Sequence, residues 1–94
     1  MRAHHLHQEQ AVDVVIKFGP RATRYVREKV WHPTQKLDER EDGTSTLSFT
    51  TSSVDEVKRW VLTYGDDAEV VAPAELRASI AAALRAAAGK YSDV

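Results

Sequence analysis

The sequence predicts an α+β domain of β-α-β-β-α-β order with an additional C-terminal helix. Three observations carry this: alternating apolar runs at Val12–Phe18 and Leu47–Phe49, helical spacing after Pro20, Ser53 and Pro73, and an Asp42-Gly43 turn between two extended segments. At 94 residues the chain suits one domain and leaves no room for two cores. We place a polar, histidine-rich tail at residues 1–10 and a single folded domain at residues 11–91.

In AVDVVIKF, Val12, Val14, Ile16 and Phe18 point one way and Asp13, Val15 and Lys17 the other, the pattern of a half-buried strand. Gly19-Pro20 breaks it, and Pro20 suits the first turn of a helix, where its missing N–H has no partner to lose. Across PRATRYVREKV, Ala22, Tyr25, Val26 and Val30 form the expected apolar face, opposite Arg21, Arg24, Arg27 and Glu28. Trp31–Glu41 reads as a polar strand, placed at a sheet edge because Pro33 cannot donate to a ladder. Asp42-Gly43 predicts a type I′ hairpin turn, and TSTLSFTT returns with Leu47 and Phe49 inward and Ser48 and Thr50 outward.

Ser53 and Glu56 have capping-box spacing ahead of VDEVKRWVLTY, whose stripe is Val54, Val57, Val61 and Tyr64, flanked by Trp60 and Leu62. Gly65 closes that helix, DAEVVA forms a short strand, and Pro73 opens a last helix that stops at Gly89. Two βαβ-type halves around one hairpin point to a ferredoxin-like sandwich, with two helices on one face of a four-stranded antiparallel sheet.

Composition narrows function. The chain has no cysteine, which excludes disulfides and thiolate metal sites and fits a reducing compartment. No apolar run approaches a membrane span, and MRAHHLHQEQ lacks a secretory apolar region, so a cytoplasmic location without membrane contact is expected. Formal net charge is −1, yet residues 20–40 carry a local +3 and residues 41–94 a local −4. Opposite-signed halves can complement each other across a dimer or against a neighbouring domain.

No catalytic site is expected. His32, between Trp31 and Pro33, reads as a strand-start histidine rather than a general base, and Glu41-Asp42 and Asp66-Asp67 fall in turns where acids serve local needs. No nucleophile motif or phosphate-binding loop is present, and no cofactor is expected. His4, His5 and His7 have metal-binding chemistry but no fixed geometry in a tail, so no metal site is assigned. The outward residues Asp13, Val15, Lys17, Ser48 and Thr50 include no aromatic platform for RNA bases.

Two features exceed an ordinary surface. Val15 and Val71 fall on the open sheet face of neighbouring strands, where an apolar pair calls for a cover. The last helix carries a stripe of Leu76, Ile80, Ala83, Leu84 and Ala87, suited equally to its own sheet or to a partner subunit. Val15, Val71, Leu76, Ile80 and Leu84 are therefore the interface candidates. Arg21, Arg24 and Arg27 are candidates for weak, salt-sensitive contact with single-stranded nucleic acid. A small-ligand sensor is a third reading, although no polar cluster defines a pocket.

The segments YVREKVWHPTQKLDEREDGTSTLSF, VKRWVLTYG and VVAPAELR, in this order, resemble the C-terminal extension (WCX) domain of bacterial WYL-domain transcriptional regulators. The resemblance rests on Tyr25-Val26-Arg27-Glu28, Trp31-His32, Gln35, Asp42-Gly43, Arg59-Trp60, Gly65 and the Pro73-x-x-Leu76-Arg77 helix start, and spans residues 12–91. It implies a ferredoxin-like module that supports homodimerisation or docks on a WYL domain and links sensing to DNA binding. The chain carries neither a helix-turn-helix nor a WYL motif, so sequence-specific DNA binding does not transfer to it.

Overall fold

The structure, a computed structural model, describes residues 10–92. Its elements are β1 (Val12–Phe18), α1 (Pro20–Val26), β2 (Lys36–Glu39), β3 (Ser45–Thr51), α2 (Val54–Leu62), a 3-10 turn (Gly65–Asp67), β4 (Ala68–Ala72) and α3 (Ala74–Gly89). The four strands form one antiparallel sheet in the order β2-β3-β1-β4. β1 and β4 are neighbours, as the sequence predicted, and β2 and β4 are the edges.

Alternation places Val14, Ile16 and Phe18 of β1 on the same face as Leu47 and Phe49 of β3 and Val70 of β4. One core joins them to Ala22 and Val26 of α1, Val57 and Val61 of α2, and Leu76 and Ile80 of α3. All three helices thus feed a single apolar layer. Phe18, Trp60 and Tyr64 meet edge to face at its border, with centroids 5.4–5.7 Å apart. Polar residues buried on this face are partnered: Thr23 Oγ1 and Ser45 Oγ lie 2.8 Å apart, and Thr51 Oγ1 accepts the Ser53 N–H at 3.0 Å.

Four local expectations are corrected. Helix α1 ends at Val26 rather than running on to Val30, which is exposed, and Tyr25 within the helix is exposed too, so the expected apolar face reduces to Ala22 and Val26. The Trp31 indole N–H donates to the Val26 carbonyl at 2.8 Å, and Gln35 Oε1 accepts the N–H groups of Trp31 and His32 at 2.7 and 3.1 Å. These side chains satisfy the backbone of a turn where helix periodicity predicted another helical turn. The extended segment consequently shortens to Lys36–Glu39.

The hairpin turn is not type I′, because Gly43 (φ 91°) has positive φ and Asp42 does not. Gly43 N–H donates to the Arg40 carbonyl, and Arg40 N–H to the Thr44 carbonyl, at 3.0 and 2.8 Å. This makes a three-residue loop closed by a left-handed glycine. Asp42 instead accepts from the Thr44 backbone and hydroxyl, at 3.0 and 2.6 Å. These two bonds hold its carboxyl below the usual range, the hydroxyl bond contributing most.

Ser53 occupies the N-cap of α2, but its side chain makes no capping bond, so the Ser53–Glu56 capping box does not form. Gly65 has φ 59°, the left-handed conformation expected of it.

Asp67 governs the start of α1. Its Oδ2 accepts the Ala22 N–H at 2.6 Å, and its backbone carbonyl accepts the Gly19 N–H at 2.8 Å. No local side chain caps this helix, so an acid 45 residues away supplies the acceptor.

Candidate functional site

On the open sheet face, Val15 is half-buried and Val71 is 44% exposed. The ladder pairs Val15 with Ala72 and Ile16 with Val70, so Val71 is the extra residue of a β-bulge. The bulge lies on edge strand β4, where it turns an apolar side chain toward solvent. Around this pair the face is polar and internally bonded: Thr50 Oγ1 donates to Asp13 Oδ1 at 2.8 Å, and Arg40 donates to Thr46 Oγ1 at 2.6 Å.

The last helix divides in two. Leu76 and Ile80 are 3% and 7% exposed and belong to the chain's own core, which removes them from any free surface. Leu84 remains 46% exposed beyond them, followed by Arg85–Ser92, all exposed. Lys58 Nζ donates to Ser79 Oγ at 2.7 Å, tying α3 to α2. Arg77 donates to the Val70 carbonyl at 2.9 Å and to Glu69 Oε2 at 2.6 Å. That bond is the main reason the Glu69 carboxyl lies below its ordinary range, with Arg77's charge second. A charged side chain thus occupies part of the backbone on edge strand β4.

Of the three candidate cations, Arg21 and Arg24 in α1 and Arg27 at its C-cap, two have acidic partners. Arg21 lies 2.9 Å from Asp66 Oδ1 and 3.5 Å from Asp67 Oδ1, and Arg27 lies 3.2 Å from Glu39 Oε1. The hydrogen bond to Asp66, then the charge of Asp67, raise the Arg21 guanidinium above its usual value. Arg24 forms no ion pair among the described residues. The neighbouring acids oppose a polyanion at this helix, which weakens the nucleic-acid reading. The histidines at positions 4, 5 and 7 lie outside the described residues. Among the described residues, no group of three or more His, Cys, Asp or Glu side chains could hold a metal ion, and no helix is long and apolar enough to cross a membrane.

Sequence reasoning missed one cluster. A cleft of about 170 Å³ opens where the α1–β2 connection meets β3 and α2. Its aromatic walls are Trp31, His32, Phe49 and Trp60, with Glu56 and Ser53 as polar lining. Trp31 and Trp60 lie 5.0 Å apart between centroids, and the His32 ring stacks on Phe49 at 5.3 Å. The first-turn position of Glu56 suggested a capping role, and Trp31 and Trp60 belong to segments 29 residues apart.

No curated protein matches the chain. The family model described as the WCX domain matches residues 10–88, from just before β1 to the last turn of α3. The match covers every strand and helix that builds the core, and the chain therefore belongs to the WCX domain family.

Proposed function

We propose that this chain is a non-catalytic regulatory accessory module of a WYL-type transcriptional regulator, working by protein–protein contact. The WCX match over residues 10–88 carries the reading. Finer detail of the fold supports it. The sheet order read from the other edge is β4-β1-β3-β2, with helices after β1 and β3, which supports reading the fold as a ferredoxin-like sandwich extended by one helix.

The contact surface is the open sheet face around Val15 and Val71, with Leu84, on the outer part of α3 in the helix layer, as a separate apolar candidate. Val71 and Leu84 are large apolar side chains left exposed by the fold, and covering them removes apolar area from water. The occupant is a second copy of the chain or the WYL domain of the same regulator, in the bacterial cytoplasm.

Light scattering on protein eluting from size exclusion, over a range of loading concentrations, tests the first occupant. A concentration-stable dimer that Val71→Asp dissociates, without a change in circular dichroism, establishes the homodimer. A monomer at every concentration moves the surface to the WYL domain. The reading then requires binding of an added WYL domain that Val71→Asp abolishes; absence of both contacts sinks it.

A further inference from the structure

The aromatic cleft has the size, walls and charge of a receptor for one side chain. Its volume, about 170 Å³, falls below the roughly 300–1,000 Å³ of pockets that enclose whole small-molecule ligands. Trp31 and Trp60 pack against each other at 5.0 Å and His32 stacks on the buried Phe49, and the half-buried outer parts of Trp31, Trp60 and His32 border the cleft with aromatic surface. The Lys29 ammonium already stands 4.3 Å from the Trp31 centroid, so a cation is attracted to this ring within the molecule itself.

Glu56 supplies the opposite charge. It is exposed, forms no ion pair among the described residues, and is free of the capping box that its position suggested. Ser53, its neighbour in the cleft, makes no capping bond either. A lone carboxylate beside aromatic walls favours a ligand that is both cationic and flat. Guanidinium meets both conditions: its plane stacks on an indole while its fork of N–H groups reaches a carboxylate. An ammonium group is compact, strongly hydrated and unable to stack.

We propose that the cleft formed by Trp31, His32, Phe49, Trp60 and Glu56 binds an arginine side chain presented by a partner protein. The site is separate from the Val15–Val71 face and does not depend on the homodimer.

Trp31 and Trp60 are the only tryptophans of the chain, so intrinsic fluorescence reads the cleft directly. The full chain is titrated with a blocked Gly-Arg-Gly peptide and with the same peptide carrying lysine, trimethyl-lysine or citrulline. The expected result is a saturable change with the arginine peptide, weaker binding of lysine and trimethyl-lysine, and none with citrulline. Glu56→Gln is expected to weaken arginine binding about tenfold, in line with loss of a charge-assisted pair. Asp55→Asn, which removes the adjacent charge outside the cleft, is expected to leave it unchanged. Circular dichroism and the thermal midpoint confirm that both variants fold. No saturable response, equal binding of citrulline, tighter binding of trimethyl-lysine, or indifference to Glu56→Gln would each overturn the proposal.

Discussion

At Gly19 a methyl group would collide with the Asp67 carboxylate, which lies against this position in order to reach the Ala22 N–H. The constraint is close approach, since Gly19 itself has an ordinary extended conformation with φ −78°. Gly19→Ala is therefore expected to destabilise by about 1–3 kcal/mol, by displacing Asp67 from the helix start. Asp67→Ala removes the acceptor itself and is expected to cost about 1–2 kcal/mol, as loss of an N-cap does. Denaturant unfolding of both variants checks the pair. Because they disturb one interaction, the double variant should lose less than the two losses added together.

The acid limb of stability belongs to the residue scale too. Asp42 and Glu69 titrate below their ordinary values because Thr44 and Arg77 hold the charged forms. A depressed folded-state pKa contributes stability that is present above the unfolded value and lost as pH falls through the folded one. Both groups are exposed, so each effect is small. Asp42→Asn should narrow the gap between thermal midpoints measured at neutral pH and in acid, and an unchanged gap would contradict that role.

Among the elements, β1 was the most legible: its alternation named the buried residues, and Val14 and Ile16 are fully buried. Ile16→Ala is expected to cost about 2–5 kcal/mol in denaturant unfolding. Leu84→Ala on the exposed part of α3 should stay within about 0.5 kcal/mol in the isolated chain. The α1–β2 connection was the least legible. Helical spacing through Val30 is a real local signal, but it cannot register that the Trp31 indole and the Gln35 amide hold the backbone in a competing turn. Gln35→Ala leaves two partly buried N–H groups without that acceptor and is expected to cost about 1–3 kcal/mol. It should also alter the tryptophan emission, since Trp31 leaves its place beside Trp60.

For the whole molecule, strand alternation and turn residues sufficed for the order of elements and for the neighbouring of β1 with β4. Surfaces were harder to read. A stripe of Leu76, Ile80 and Leu84 looks uniform along α3, yet the first two are buried in the core and the third is surface. The aromatic cleft joins residues 31–32 to the consecutive β3–α2 stretch 49–60, and no local pattern encodes that meeting. If the Val15–Val71 face is the molecule's contact surface, Val15→Asp with Val71→Asp should abolish association at unchanged helicity. Retained association would place the contact elsewhere.

The bond from Asp67 to Ala22 also orders events in time. Helix α1 has only seven residues, too few to persist in water unaided, and its cap arrives from the turn that enters β4. The cap forms only once the chain has closed a loop of more than forty residues, so we expect the native contacts of α1 to form late on the folding path. Asp67→Ala should accordingly speed unfolding while leaving the refolding rate nearly untouched. In native-state hydrogen exchange, the Ala22 amide should open together with the β4 junction rather than with its own helix.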